Sequence, residues 1–188
     1  QELKSALLVA LLKRGDMQEA LVFTRTKHRA NRLAEYLLRE GINADRIHGN
    51  RSQAQRTAAL AAFKSGRTRV LVATDIAARG IDVEALGHVV NFDVPMVPED
   101  YIHRVGRTAR AEATGEAFTL VSPQEEPDLR AIESAIGKRL PRVTVPDFDY
   151  SARPAQKLEI PLADRIAAIR KKKAEERSRA ALKNARSH

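Results

Sequence analysis

Val70-Leu71-Val72-Ala73-Thr74-Asp75-Ile76-Ala77-Ala78-Arg79-Gly80-Ile81-Asp82 changes character halfway along. Its first four residues are all apolar and Thr74 is β-branched, the composition of a strand buried on both faces. Its second half is small, charged and flexible at Gly80. Similar β-rich runs occur at Ala20 to Thr24, Ala44 to His48, His88 to Phe92 and Ala117 to Val121, each bounded by polar residues or glycine. Helical stretches separate them. Lys27 to Arg39 sets Ala30, Leu33, Ala34, Leu37 and Leu38 on one stripe, and Ser52 to Phe63 starts on a capping serine and offers Ala59, Leu60 and Phe63. Glu99 to Val105 follows Pro98, a favoured first-turn residue, and Gly106 is placed to end it. Strands alternating with helices predict an α/β fold, a mostly parallel sheet covered by helices on both faces.

Ligands on such a sheet gather at the carboxyl ends of the strands. Three chemically loaded segments fall there: Phe23-Thr24-Arg25-Thr26, His48-Gly49-Asn50-Arg51, and Thr74 to Asp82. Hydroxyls, glycines and guanidinium forks along one edge suit a run of phosphates. Gly80 permits a close backbone approach, and Asp82 can accept from sugar hydroxyls. A fourth segment, Tyr101-Ile102-His103-Arg104-Val105-Gly106-Arg107-Thr108-Ala109-Arg110, sets three arginines at three-residue spacing. Three guanidinium groups so close repel one another unless an anion or carboxylates lie between them. Arg104, Arg107 and Arg110 are therefore expected to stand exposed at the sheet edge.

With 188 residues and 43% hydrophobic content the chain supports one good core and not two. It has no cysteine, which excludes structural disulfides and thiolate metal sites. No apolar run reaches membrane-spanning length and the first residues lack the pattern of a signal peptide, so a soluble, cytoplasmic protein with no membrane partner is expected. The formal charge of +9 is uneven: residues 151–188 carry eleven Lys/Arg against four Asp/Glu, leaving 22 against 20 in residues 1–150. Two regions are expected, a globular domain over 1–150 and a basic, flexible tail over 151–188 suited to nucleic acid.

Val22-Phe23-Thr24-Arg25-Thr26, His48-Gly49-Asn50-Arg51-Ser52-Gln53, Ala73 to Asp82, and His103 to Arg110 resemble, in order, motifs IV, IVa, V and VI of the DEAD-box ATP-dependent RNA helicases. The resemblance covers about residues 18–145. Thr114-Gly115-Glu116-Ala117, Pro141-Arg142 and Pro146-Asp147-Phe148 are similar to the bacterial RhlE-like branch. The implied fold is a RecA-like three-layer sandwich, and the chain would be its C-terminal lobe. The phosphate loop, the Asp-Glu-Ala-Asp sequence, the Ser-Ala-Thr sequence and the adenine-reading glutamine of the first lobe are not in this sequence. Leu3, Leu7, Leu8, Leu11 and Leu12, at helical spacing within Gln1 to Gly15, would form the lobe's opening helix.

By this resemblance Arg107 and Arg110 would be arginine fingers on the γ-phosphate of ATP. His103 and Arg104 would couple that motif to the opposite lobe, with Phe23 packed against it. Asp82, with Gly80, would bind the nucleotide. Thr26, Gly49, Arg51, Thr74, Asp75, Arg79 and Gly80 would lie along the RNA backbone. ATP would come with Mg2+ held by the N-terminal lobe, and this lobe itself would bind no metal. The implied partners are RNA, the N-terminal RecA-like lobe of the same protein, and RNA-processing or decay proteins. Ala109 stands where the family usually has glycine. Two other classes fit the same residues: a non-enzymatic RNA-binding or partner-docking module, and a lobe of a DNA-acting superfamily 2 helicase. A dinucleotide oxidoreductase is disfavoured because no Gly-x-Gly-x-x-Gly follows the first strand.

If the basic tail holds RNA near the domain, truncation after Tyr150 lowers RNA affinity. The dependence of log affinity on log salt should then flatten by about 0.7 for each phosphate of a single strand that the tail had neutralised. An RNA titration across salt concentrations checks this, and an unchanged slope excludes the tail as an RNA-binding element.

Overall fold

A computed structural model of the chain describes residues 3–15, 17–79, 86–110 and 113–152, with the backbone alone at 109, 110, 113 and 114. Gly80, Asp82 and, apart from its first two residues, the basic tail lie outside the described residues.

Five short strands form one sheet in the order β2-β3-β1-β4-β7, and every neighbouring pair is parallel. They are β1 (Ala20–Phe23), β2 (Ala44–Ile47), β3 (Val70–Ala73), β4 (His88–Asn91) and β7 (Glu116–Thr119). A two-stranded antiparallel ribbon, β5 (Ala109–Arg110) with β6 (Ala113–Thr114), interrupts the run before β7. Parallel neighbours require crossovers, which α2 (Lys27–Arg39), α3 (Gln53–Lys64), the four-residue α4 (Asp75–Ala78) and α5 (Pro98–Val105) help to supply. The helices α1 (Lys4–Lys13) and α6 (Glu126–Ile136) lie outside these crossovers, with a single 3₁₀ turn, Pro123–Glu125, leading into α6.

Side chains alternate faces along a strand. Leu21, Phe23, Leu71, Ala73 and Val89 pack with Ala59 and Phe63 of α3 and Ala77 and Ala78 of α4 on one face. The intervening Ala20, Val22, Val70, Val72 and Val90 are also fully buried. The right-handed crossover rule places α2 on that second face, where Ala30, Leu33, Ala34 and Leu37 are buried in turn. This double coverage explains why the strands read as continuous apolar runs.

Local chemistry sets the helix ends. Thr26 caps α2, its hydroxyl accepting from the Arg29 amide at 3.2 Å. Ser52 and Gln55 form a reciprocal capping box at α3. Pro98 opens α5 and Gly106 closes it. Gly106 does so with right-handed backbone, φ −59°, and not in the left-handed form typical of a terminal glycine. A Cβ there would lie a tight 3.1 Å from the Ile102 carbonyl oxygen, so glycine spares the turn a small adjustment. Ala109 sits in β5, extended backbone that alanine adopts without strain. Gly115 is more tightly constrained: a Cβ would meet the Leu86 oxygen at 2.4 Å and Thr108 at 2.7 Å.

Two buried ion pairs lie beneath the carboxyl ends of the strands. Lys4 of α1 is bonded to Glu125 and also donates to the Phe92 carbonyl at 2.9 Å. Arg29 of α2 is bonded to Asp93, which is wholly buried. Burial alone would push the Glu125 carboxyl up. Hydrogen bonds from Lys4 and Ser122, with the charge of Lys4, outweigh it and hold the group below its ordinary 4.5.

The stability carried by Glu125 is thus complete above about pH 4.5 and is lost as pH falls through its depressed folded value. Lys4→Met strands a buried carboxylate and is expected to cost about 3–5 kcal/mol, whereas Lys4→Met with Glu125→Leu costs markedly less. Denaturant unfolding of both variants at pH 7 and pH 4 checks the size and the sign.

Candidate functional site

The pairing register brings the strand ends level. Phe23 is opposite Ala73 on one side and Asn91 on the other, and Ile47 is opposite Ala73. His48, Thr74, Thr24 and Phe92 therefore leave the sheet in one row. The chain leaves β1 toward β2 on one side and leaves β4 toward β7 on the other, so the switch point of the sheet lies between β1 and β4. Crevices for ligands form at such points.

Arg104 occupies this crevice. Its side chain is only 3% exposed. Nε and Nη2 donate to the two carboxylate oxygens of Asp75 at 2.7 and 2.8 Å, a bidentate pair. Nη1 donates to Asn91 Oδ1 at 3.0 Å and to the Asp93 carbonyl at 2.9 Å. The guanidinium carbon lies 5.0 Å from the centre of the Phe23 ring, within cation–π range. Four hydrogen bonds and an aromatic face compensate a charge that could not otherwise be buried. The expectation that all three arginines stand exposed is corrected by this geometry. Asp75, 29 residues earlier, is the carboxylate that allows Arg104 to turn inward.

Around Arg104, a shallow pocket is lined by Phe23, Asp75, Ala78, Arg79, Asp100, His103 and Arg107. Arg79 is well exposed and donates to Asp100 at 2.7 Å. His103 of α5 is exposed, and Arg107, just past the helix end, is half-buried. The Leu86 amide donates to the Arg107 carbonyl at 3.1 Å, and the Glu116 amide to the Gly87 carbonyl at 2.8 Å, stitching the loop that leads into β4 to the end of α5. The Arg110 side chain lies outside what the structure describes, as do Gly80 and Asp82.

The other expected contact residues spread along the row of strand ends. Thr26 is exposed, and since its hydroxyl oxygen caps α2, the hydroxyl proton remains to donate outward. Gly49 is exposed with open space beside its Cα. Thr74 is buried at the head of α4, and Arg51 lies 3.6 Å from Asp45. Asp75, expected beside them as an RNA contact, turns both oxygens to Arg104 and stays 26% exposed. His48 is 4% exposed, with Nε2 2.8 Å from Asn31 Oδ1 and Nδ1 unpartnered. Burial and then the charges of Arg51, Arg46, Lys27 and His28 push its imidazole below the ordinary value, so it is neutral amid a cationic cluster.

Sequence reasoning passed over Asn91 and Asp93. Both are completely buried; Asn91 bonds Arg104 and Thr119, and Asp93 bonds the segments of Arg104 and of Arg25 on either side. Their one visible signal was two hydrogen-bonding side chains flanking the end of an apolar strand, in Asn91-Phe92-Asp93. Among the described residues, no helix is long and apolar enough to cross a membrane.

Residues 3–112 match the family described as helicase conserved C-terminal domain. The chain is 45% identical over 162 residues to the DEAD-box ATP-dependent RNA helicase CshA of Bacillus licheniformis, covering 86% of this chain and 33% of that protein. CshA of Bacillus subtilis is 46% identical over 153 residues, 81% of this chain and 31% of the relative. The chain thus spans about a third of the length of the curated relatives it matches. Among solved structures, the Escherichia coli DEAD-box protein SrmB, bound to regulator of ribonuclease activity A, superposes with a TM-score of 0.75. It is 38% identical, over 82% of this chain and 91% of that one. The parallel five-stranded sheet, the arginine helix at its switch point and these likenesses agree: the chain belongs to the DEAD-box RNA helicases, as their C-terminal RecA-like lobe.

Proposed function

We propose that this lobe supplies arginine fingers for ATP hydrolysis and half of an RNA backbone-binding surface for local duplex unwinding, and that it is inactive as an ATPase without the N-terminal lobe. The observation that carries the reading is the clamped Arg104. Its four hydrogen bonds fix α5 at the crevice, so that Arg107, one turn later, is presented at the pocket from a rigid base. Preorganised cations of this kind stabilise charge that develops in a transition state without reorganising first.

The residues present suit a polyphosphate. The two carboxylates lining the pocket, Asp75 and Asp100, are each bonded to an arginine at 2.7 Å. Arg79, Arg104 and Arg107 outnumber them, with His103 adding donors, so the pocket is donor-rich and acceptor-poor. ATP bound between the lobes, with Mg2+ held by the N-terminal one, supplies the phosphoanhydride whose cleavage spreads charge over the γ-phosphate oxygens. Arg107 and Arg110 neutralise that charge. Arg104 and Phe23 hold the helix that leads into the segment carrying them, and the exposed His103 meets the opposing lobe. Asp82 and Gly80 take the nucleotide's sugar side. Thr26, Gly49, Arg51, Thr74, Asp75 and Arg79 line the RNA backbone, and Asp75 also holds Arg104. Residues 1–150 form the lobe and 151–188 the basic tail. The RhlE-like placement within the family rests on the stretches around Gly115, Pro141 and Phe148.

In the two-lobed enzyme Arg107→Ala is expected to reduce RNA-stimulated ATP turnover by about 10³-fold or more, with stability changed by less than about 0.5 kcal/mol. Arg104→Lys keeps the charge but loses the planar fork, and is expected to lower both turnover and stability, the latter by about 1–3 kcal/mol. Steady-state ATPase assays beside denaturant unfolding separate the two residues. The 188-residue chain alone is expected to show no RNA-stimulated hydrolysis, and robust turnover by it would refute the one-lobe reading.

A further inference from the structure

The span Asn91-Phe92-Asp93 at the carboxyl end of β4 is gripped from both sides. On one side it holds the arginine helix: Asn91 Oδ1 and the Asp93 carbonyl accept from Arg104 at 3.0 and 2.9 Å. On the other it holds the segment that carries Thr26. Asp93 Oδ2 accepts from the Arg25 amide at 2.8 Å, and Oδ1 accepts from the Arg29 guanidinium. Arg29 in turn gives its own amide to the Thr26 hydroxyl, so Asp93 fixes both ends of the Arg25-to-Arg29 turn. Asp93 is 0% exposed, so bulk solvent does not compete for its side of these bonds. The Phe92 and Asp93 amides also bond the Phe23 carbonyl, and Phe23 is the ring under Arg104.

From this we propose that Asp93 is a positioning residue that couples the arginine helix to the RNA-contacting turn of α2. The inference rests on the helicase reading of the lobe. A shift of α5 that moves Arg104 pulls on the Asp93 backbone, and the same residue's carboxylate sets the angle at which Thr26 faces outward. The bonds from Arg104 and from the Arg29 guanidinium join buried groups, and those of the Arg25 and Arg29 amides are partly buried, so displacement at one end strains the other. Asp93 itself touches neither nucleotide nor RNA. Its effect is therefore on the energetic coupling between the two ligands and not on either one's direct contacts.

The test uses the intact two-lobed helicase and a fluorescent single-stranded RNA oligonucleotide. The readout is the ratio of RNA dissociation constants measured without nucleotide and with a non-hydrolysable ATP analogue. Asp93→Asn removes the charge that balances the buried Arg29, so Arg29→Met with Asp93→Asn is measured beside it as the charge-balanced variant. Both are expected to lower the ratio at least tenfold, whatever happens to the absolute affinity. Glu133→Gln on α6, which breaks the ion pair to Arg142 away from the Arg104-to-Thr26 route, should leave the ratio within twofold. An unchanged ratio in the charge-balanced variant with cooperative unfolding retained overturns the proposal, as does an equal loss in the Glu133 control. A wild-type enzyme whose RNA affinity ignores the analogue would instead overturn the helicase reading beneath it.

Discussion

A single guanidinium organises the active edge of this lobe. Arg104 is the point at which four segments distant in sequence meet: the end of β1 through the Phe23 ring, the head of α4 through Asp75, the end of β4 through Asn91 and Asp93, and α5 itself. An arginine buried to this degree is tolerated only when nearly all its donors are satisfied. Removing any one partner therefore degrades the others, and the edge behaves as one cooperative unit. The planarity of the group matters as much as its charge, because the fork on Asp75 needs two parallel donors in one plane.

The polar groups beneath the strand ends follow the same logic. Lys4, Arg29, Asp93 and Glu125 form two compensated pairs, and their mutual influence extends across the pairs, since Asp93 and Arg29 both act on the Lys4 charge. An apolar core would have served stability as well or better. What the ion pairs add is direction. Each bond specifies where a loop leaves the sheet, which apolar contacts leave loosely determined, and a site built on loops needs that definition.

Much of this architecture was legible in the residues. The strands stand out because burial on both faces demands continuous apolar runs, and β1 to β4 fall within a residue of the runs at Ala20, Ala44, Val70 and His88. The bounds of α2 coincide with its apolar stripe, and the Ser52 cap starts α3 as its side chain requires. The four-residue α4 lacked a full helical repeat, and the β5–β6 ribbon was too short to alternate. The inward turn of Arg104 was hidden for a different reason. Spacing reveals like charges crowded along a chain, whereas the carboxylate that relieves them arrives from 29 residues away, and only the folded register brings it there. Asn91 and Asp93 escaped for the same cause: buried polar residues declare themselves through partners, not through pattern.

Gly115 shows how far such a site extends beyond the groups that would meet a phosphate. The space of its missing side chain is filled by the Leu86 carbonyl and by Thr108, and Leu86 is bonded to the backbone of Arg107. The position of an arginine at the crevice is thus set partly by a hydrogen atom on a residue eight places further along. An exchange at Gly115 would therefore displace the backbone that holds Arg107, although nothing at that position has any chemistry to lose.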